Sequence, residues 1–255
     1  MTEPVDTTPD PRPTPPWVVP TVVGTLLALA ILVIVAVIFA LREGPAAIET
    51  LDIEAPTSMT ADGGIRFEGV DGAIAVADPA DEASATVVEL YVDWSCPVCR
   101  DFEGAYSEEL TSRVATADIE LEVHPIAILD RAFLDSEYSS RAANAAACVA
   151  EHTPDAFLDV QYGFFAAQPD EGTVGYNDAQ LIELLEIVGV TDAAVVSCVE
   201  NGDFREWVAA ITVSTVARAD LANDDGGFGT PTVVIDGMRW NPATDGELLA
   251  LLDAR

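Results

Sequence analysis

The sequence predicts an α/β domain that carries a helical insertion and follows a single N-terminal membrane-spanning helix. Three observations support this prediction. An uncharged apolar stretch, Thr21–Leu41, is long enough to cross a bilayer. A β-branched apolar run, Thr86–Val92, has the composition of a buried strand and leads into a Cys-x-x-Cys motif. A long helical middle then separates that motif from a second strand pattern near residues 229–237.

The composition of the chain excludes one class of partner. The sequence has 44 acidic residues against 11 basic ones, all of them arginine, and its formal net charge is −33. Because nucleic-acid binding needs a basic surface, we expect no nucleic-acid partner. The acids are dispersed rather than gathered in a run. They therefore either favour basic client chains or reflect a salt-adapted or biased composition that serves solubility.

The N-terminus is predicted to hold a membrane anchor. Residues 1–16 are rich in proline, which predicts an extended and disordered start. Residues 17–41 are the predicted transmembrane anchor, with Trp17 at the expected interface. The 21 residues Thr21–Leu41 span about 30 Å as a helix. The alternative is a cleaved signal peptide, whose apolar core is normally about 7–15 residues long and follows a positively charged start.

The orientation of this anchor is not decided by charge, because Arg12 and Arg42 lie on opposite sides of it. The cysteine chemistry described below suits an oxidising exterior, so we expect a cytoplasmic N-terminus and an extracytoplasmic domain at the cell membrane. Residues 42–63 are predicted to be a tether. Residues 64–255 are predicted to fold as one domain, with the helical insertion at about residues 135–222.

The strongest local signal is the Cys-Pro-Val-Cys motif at residues 96–99. Arg100–Val114 has the apolar spacing of an amphipathic helix, so the motif is expected in the first turn of a helix that follows the strand Thr86–Val92. A helix N-terminus favours a thiolate, the reactive form in thiol–disulfide exchange. We therefore predict that Cys96 faces solvent and attacks, while Cys99, one turn deeper, resolves the mixed disulfide.

The alternative for a Cys-x-x-Cys motif is half of a zinc site. A zinc ribbon needs a second close pair of Cys or His residues. The sequence has no such pair, because Cys148 and Cys198 stand far apart and both His124 and His152 are isolated. We therefore predict neither a metal nor another cofactor.

The second strand pattern is GTPTVVIDG at residues 229–237, opened by Pro231 and closed by an Asp-Gly turn. The Thr230-Pro231 pair resembles the cis-proline loop that faces the Cys-x-x-Cys helix in thioredoxin-like proteins. Because most X–Pro bonds are trans, the alternative is an ordinary trans proline.

The segments ELYVDWSCPVCRDF and GTPTVVIDG, with the helical middle between them, resemble the DsbA-like branch of the thioredoxin superfamily, and in particular its membrane-tethered actinobacterial members. The resemblance covers about Thr86–Arg255 and implies a thioredoxin-like fold with a helical insertion. It implies that Cys96 is the nucleophile and Cys99 the resolving cysteine. It also implies that Thr230 and Pro231 shape a groove for an extended client peptide.

Two positions depart from the pattern of this family. Val98 stands where strong oxidants of the family have a histidine that helps to stabilise the thiolate. Leu90 stands six residues before the first cysteine, where the family has a buried acid. Glu89 is adjacent to that position, but strand alternation turns it to the opposite face unless a bulge intervenes, so we do not expect it to relay protons.

The middle of the chain contains several helical patterns, and two of them carry a cysteine. The longer patterns are Glu137–Glu151, Asp155–Ala167, Asp178–Val188 and Phe204–Leu221, and Asp192 opens a shorter one. Cys148 lies on the first helix and Cys198 on the short one. We predict a disulfide between them, worth about 3–4 kcal/mol because it closes a long loop. The alternative is two buried free cysteines that act as small hydrophobic residues.

The resemblance implies an extracytoplasmic thiol:disulfide oxidoreductase that donates a Cys96–Cys99 disulfide to exported proteins with thiols. It also implies re-oxidation by a quinone-linked membrane partner of the vitamin K epoxide reductase type. One alternative reverses the direction and predicts a thiol reductase for cytochrome c maturation or for a specific client. Another is a non-catalytic binding module or metal chaperone. A dimeric isomerase is disfavoured, since residues 43–85 contain only two short strand patterns, Ile65–Val70 and Ala73–Ala77, which are too little for a dimerisation domain.

Overall fold

A computed structural model describes residues 53–255 of the chain. The predicted N-terminal segment and anchor therefore lie outside the described residues, as does most of the predicted tether. Within residues 53–255, no helix is both long and apolar enough to cross a membrane. The compact unit begins at Ile53, so the end of the predicted tether belongs to the folded domain. Met59, for example, is buried and forms an isolated β-bridge with Ile65.

The described residues form a six-stranded mixed sheet with the order β2-β1-β4-β3-β5-β6. The strands are β1 Ile65–Val70, β2 Ala73–Val76, β3 Thr86–Val92, β4 Ile119–Pro125, β5 Thr232–Ile235 and β6 Met238–Arg239. The pair β3–β4 is parallel and the other neighbouring pairs are antiparallel. Since β3 lies between β4 and β5, the segment that leaves its end is supported from both sides.

Helices cover the sheet and form the insertion between β4 and β5. They are α1 Pro97–Ala115, α2 Tyr138–His152, α3 Phe157–Ala166, α4 Asp178–Ile187, α5 Ala193–Asn201, α6 Arg205–Val216 and α7 Leu248–Asp253. Short 3-10 turns occupy Asp130–Phe133, Pro154–Ala156 and Ala219–Leu221. The fold is therefore an α/β domain of the predicted class, with α2–α6 as its helical insertion.

Several predicted boundaries shift by a few residues. The start of α1 is as predicted, since the helix begins at Pro97 with the motif in its first turn, where proline needs no intrahelical N–H. The helix expected to continue to Leu221 ends at Val216 and is followed by a separate turn. Strand β4 was not predicted, although its sequence IELEVHP alternates apolar residues with the charged Glu120 and Glu122, a pattern typical of a half-buried strand. The structure buries these charges, and Glu120 pairs with Arg66 at 3.1 Å.

The insertion is held together by a disulfide and joined to the sheet by aromatic side chains. Cys148 of α2 is bonded to Cys198 of α5. Trp94, which follows β3 directly, contacts three phenylalanine rings of α3, with centroid separations from 6.1 to 6.4 Å. These rings belong to Phe157, Phe164 and Phe165. The aromatic cluster fixes the insertion next to the turn that carries the Cys-x-x-Cys motif.

Candidate active site

The Cys-x-x-Cys motif lies at the N-terminus of α1. After β3, the backbone N–H of Cys96 donates to the carbonyl of Asp93 at 2.9 Å. Cys96 is the N-cap residue of α1 with an extended backbone, and Pro97 follows at the first helical position. The sulfur of Cys96 is thus placed beside the unpaired N–H groups of the first turn, where an anion is stabilised.

The turn before Cys96 is stabilised by hydrogen bonds to the fully buried carboxylate of Asp93. Its Oδ1 accepts from the backbone N–H of Ser95 at 2.9 Å and from the Ser95 hydroxyl at 2.5 Å. Its Oδ2 accepts from the N–H of Ile128 at 2.9 Å and from the hydroxyl of Ser139 at 2.6 Å. Burial raises the pKa of Asp93, and these four donors oppose that shift. Sequence reasoning missed this residue, although an Asp-x-Ser sequence directly after a strand is a signal for such a turn.

A second residue missed from the sequence holds the same turn from the insertion. Gln168, just after α3, donates from Nε2 to the carbonyl of Trp94 at 2.7 Å and to the carbonyl of Cys96 at 3.0 Å. Both carbonyls are thereby satisfied within a buried region. The backbone around Cys96 is therefore fixed by groups from two distant parts of the chain.

Both cysteines of the motif are buried, and their sulfurs are not bonded to each other in this structure. Cys96 exposes 6% of its surface and Cys99 1%. The prediction that Cys96 faces solvent is therefore wrong in degree. The segment before β5 covers Cys96, and the carbonyl oxygen of Thr230 lies 3.3 Å from its Sγ. Cys96 is still the more accessible sulfur of the two.

The two thiols have opposite acid–base properties. A hydrogen bond from Cys99, aided by Thr230 and by the backbone N–H groups of Val98 and Cys99, lowers the pKa of Cys96 to about 6. Burial, together with the thiol of Cys96, raises the pKa of Cys99 well above its usual range. At neutral pH the site therefore holds a thiolate at Cys96 beside a protonated Cys99, which suits a nucleophile and a resolving thiol.

The predicted cis-proline loop lies against these cysteines. The Thr230–Pro231 peptide bond is cis, and β5 begins at the next residue, Thr232. The Oγ1 of Thr230 is buried and has no hydrogen-bond partner among residues 53–255. The structure thus brings Cys96, Cys99, Thr230 and Pro231 together.

An apolar groove of about 570 Å³ runs alongside this site, between α1 and the loops that flank β5 and β6. Its apolar walls are formed by Val98, Phe102, Tyr106, Pro231, Trp240 and Pro242. Two charged side chains, Asp101 and Arg239, also line it. The Nε of Arg239 is buried and has no hydrogen-bond partner within the described part of the chain. The groove reaches the loop that covers Cys96, because Thr230 and Pro231 line it as well.

Among the described residues, no group of three or more His, Cys, Asp or Glu side chains is arranged to hold a metal ion. His124 is buried and stacks on Tyr91 with ring centroids 4.1 Å apart. Burial lowers its pKa to about 3. This histidine is a neutral packing residue of the sheet.

Comparison with known proteins points to one family. A family profile described as thioredoxin matches residues 80–254. Oxidised DsbA from Mycobacterium tuberculosis is 28% identical, with a TM-score of 0.60 over 75% of this chain and 91% of that one. The reduced disulfide bond oxidoreductase DsbG from the same organism is 27% identical, with a TM-score of 0.60 over 75% of this chain and 86% of that one.

Two further likenesses are more limited. MdbA, a thiol-disulfide oxidoreductase from Actinomyces oris, is 22% identical, with a TM-score of 0.59 over 84% of this chain and 98% of that one, and shares the fold. The serine/threonine-protein kinase PknE from Mycobacterium tuberculosis is 29% identical over 152 residues, which are 58% of this chain and 26% of the kinase. The chain thus matches about a quarter of the length of this curated relative.

Proposed function

Because this chain belongs to the thioredoxin family and is a DsbA-like thiol:disulfide oxidoreductase, we propose that it donates a Cys96–Cys99 disulfide to exported proteins outside the cytoplasm. The observation that carries this proposal is the unequal pair of thiols at the start of α1, one with a lowered and one with a raised pKa. A stabilised thiolate at Cys96 favours the dithiol form of the enzyme, so electrons flow from client to enzyme.

The exchange proceeds in two steps. A client thiolate attacks the sulfur of Cys96, the Cys96–Cys99 bond breaks, and a mixed disulfide joins the client to Cys96. A second client thiolate then attacks the client sulfur of that mixed disulfide. The client disulfide forms and Cys96 leaves as a thiolate, which its low pKa makes a good leaving group. In total the client loses two electrons, which pass to the enzyme's cysteine pair, and the two protons of its thiols.

The groove supports an extended client chain as the substrate. Its aromatic and proline side chains offer rigid apolar contacts, of which Tyr106 and Trp240 form an edge-to-face pair with centroids 6.3 Å apart. The segment around Thr230 and Pro231 presents backbone groups to a client strand. The formal charge of −33 would attract basic segments of a client over a distance of about a Debye length.

The location and the partners form part of the same proposal. The bond between Cys148 and Cys198 suits an oxidising compartment, in which structural disulfides persist. Residues 17–41 would hold the domain at the membrane by the length of their apolar stretch. Each client disulfide leaves two electrons on the enzyme. A quinone-linked membrane protein of the vitamin K epoxide reductase type would remove them.

The reduction potential of the full-length protein tests the direction of the reaction. We expect equilibrium with glutathione to give a potential well above the cytosolic glutathione poise of roughly −220 to −320 mV. A value close to the −270 mV or so of thioredoxin would instead support the reductase for cytochrome c maturation or a specific client. If the Cys96–Cys99 pair does not titrate reversibly with glutathione, the result would support the non-catalytic binding module or metal chaperone. The Cys96→Ser variant, which lacks the exchange, is the matched control.

A further inference from the structure

We propose that Glu103 returns a proton to Cys99 when the Cys96–Cys99 disulfide opens, through water in a cavity between α1 and α3. This inference rests on the proposed function, because it assigns a proton path to the same disulfide. In this proposal Glu103 acts on Cys99 through water and takes no part in the exchange of sulfur bonds.

The need for such a group follows from the burial of Cys99. When a thiolate attacks Cys96, the bonding electrons of the broken disulfide move to the sulfur of Cys99. That sulfur is 1% exposed, and burial raises the pKa of Cys99 well above its usual range. A buried thiolate without a proton source is costly, so the reaction is faster if a nearby acid supplies the proton.

Glu103 lies one helical turn beyond Cys99 on α1, so the two side chains share a helix face with their Cβ atoms about 5–6 Å apart. The whole Glu103 residue exposes only 6% of its surface. Burial raises the pKa of Glu103 to about 7, although a hydrogen bond from Gln161 opposes the shift. A carboxyl group that titrates near neutral pH both gives and takes a proton under working conditions.

The cavity beside Glu103 has the size and the polar groups to hold water. Its volume is about 250 Å³, far more than one water molecule needs. Gln161 donates from Nε2 to Oε2 of Glu103 at 2.9 Å, whereas its Oε1 is buried without a hydrogen-bond partner among the described residues. That oxygen is a ready acceptor for a water molecule. The second carboxylate oxygen of Glu103 makes no hydrogen bond within residues 53–255. It is therefore a second acceptor for water in the cavity.

The remaining walls define which charges act on Glu103. From the sheet, the apolar side chains of Leu90 and Leu121 face the cavity. The other titratable groups that line it are Glu108 of α1 and Asp159 and Tyr162 of α3, all exposed at its mouth. The mouth therefore connects Glu103 to bulk solvent for proton exchange.

Two other carboxyl groups near the motif are already committed elsewhere. Asp93 accepts four hydrogen bonds that fix the turn before Cys96, and protonation would break at least one of them. Glu89 accepts from the Tyr91 hydroxyl at 2.7 Å, and both side chains project from the face of β3 opposite to Leu90. Glu103 is thus the buried carboxyl group left with a free oxygen on the side of Cys99.

The proton balance is simple. As the client or a small thiolate attacks Cys96, the S–S bond breaks and Cys99 carries the negative charge. The Glu103 carboxylic acid protonates a water that protonates Cys99, leaving a Glu103 carboxylate and a Cys99 thiol. During re-oxidation the same path runs backwards, and the Glu103 carboxylate takes the proton that Cys99 must lose to reform the disulfide.

The test measures the rate at which dithiothreitol reduces the Cys96–Cys99 disulfide. Dithiothreitol is small, so this rate does not depend on binding in the client groove. Full-length oxidised protein is mixed with dithiothreitol from pH 5 to 9 and followed by tryptophan fluorescence, with rates expressed per dithiothreitol thiolate. The unmodified protein should show an inflection near pH 7, with faster reaction on its acid side. In Glu103→Gln the inflection should disappear and the rate below pH 7 should fall at least tenfold.

Three controls make the result specific. Glu108→Gln, at the mouth of the same cavity, should keep the inflection, and Glu103→Asp should restore part of it. Denaturant unfolding shows that each variant is folded. An unchanged pH profile in folded Glu103→Gln would overturn the inference. Failure of the unmodified protein to oxidise a dithiol peptide would instead contradict the proposed function. The pH profile of reduction by dithiothreitol would still decide the role of Glu103.

Discussion

The thiol of Cys99 hydrogen-bonds to the sulfur of Cys96, and this contact is the largest cause of the lowered pKa of Cys96. Burial of Cys96 opposes the shift, and smaller contributions that lower the pKa come from Thr230 and from two backbone N–H groups of the first helical turn. The acidity of the nucleophile therefore depends first on its partner thiol and only then on the helix terminus. The position of Cys99 thus controls how reactive Cys96 is.

Removal of this hydrogen bond should raise the pKa of Cys96. In the reduced Cys99→Ala variant we expect the midpoint of thiolate formation to rise from about 6 by roughly one pH unit or more. The ultraviolet absorbance of the thiolate measures this midpoint directly. Cys99→Ser retains a donor and should show a smaller shift. An identical midpoint in all three proteins would contradict the assigned hydrogen bond.

Loss of the Gln168 side-chain amide should destabilise the domain. Gln168→Leu leaves the buried carbonyl of Trp94 without its donor and leaves the carbonyl of Cys96 with only the backbone N–H of Arg100, at 3.2 Å. This loss should lower the free energy of unfolding by about 1–3 kcal/mol. Urea denaturation of the reduced protein measures this change. A difference below about 0.5 kcal/mol would show that water replaces the amide without cost. Ile187→Ala, at a 78% exposed position of α4, is a suitable control for a surface substitution.

The insertion disulfide should contribute to stability and leave the exchange chemistry alone. The double variant Cys148→Ala/Cys198→Ala opens a loop with a sequence separation of 50 residues, which corresponds to about 4 kcal/mol in the chain-entropy description. We expect that loss in denaturant unfolding and an unchanged rate of dithiothreitol reduction at Cys96. A loss below about 1 kcal/mol would mean that helix packing alone holds α2 against α5.

Burial of Glu103 should make stability depend on pH. The pKa of about 7 in the folded protein exceeds the unfolded value of about 4.3. The folded state therefore keeps a proton that the unfolded state has released, and the unfolding free energy falls as pH rises from about 4.3 to 7. Glu103→Gln removes this penalty, so it should be more stable than the parent by up to about 3 kcal/mol at pH 8 and nearly equal at pH 4. A stability difference that does not change with pH would argue against the raised pKa.

Truncation of Trp240 should weaken client binding without slowing small thiols. Trp240 faces Tyr106 across the groove and donates from Nε1 to the carbonyl of Gly246 at 3.0 Å. In Trp240→Ala we expect the KM for a dithiol peptide to rise about tenfold, since an aromatic anchor of this kind contributes roughly 1–2 kcal/mol. The rate with dithiothreitol should stay unchanged, and so should the peptide KM of Ile187→Ala. Equal KM values for the parent and Trp240→Ala would place the client elsewhere.

The sequence was sufficient to predict those elements whose structure is determined by one local pattern of residues. Strand β3 and the helix after it follow from a β-branched run that leads into a proline-containing motif. The accessibility of Cys96 was not predictable, because Thr230, which covers it, is 134 residues away in sequence. Gln168 was missed for the same reason. A glutamine has many possible partners, and only the packed insertion determines that it binds the carbonyl of Cys96.

Strand β4 illustrates a different limit. Its two glutamates resemble those of a solvent-facing strand, yet Glu120 is neutralised by Arg66 at 3.1 Å and Glu122 accepts from the Thr60 hydroxyl at 2.7 Å. Thr60 belongs to a segment that the sequence suggested was only a tether. Such compensation of buried charge depends on contacts between distant segments, which hydrophobic periodicity does not report.

Phe102 lines both the client groove and the cavity of Glu103. This single side chain therefore stands between the groove proposed for the client and the cavity proposed for proton transfer. A bulky client that seals the groove would not block proton exchange on the other side. Small molecules designed for one compartment would likewise inhibit one half of the reaction and spare the other, which makes the two halves separable by pharmacology.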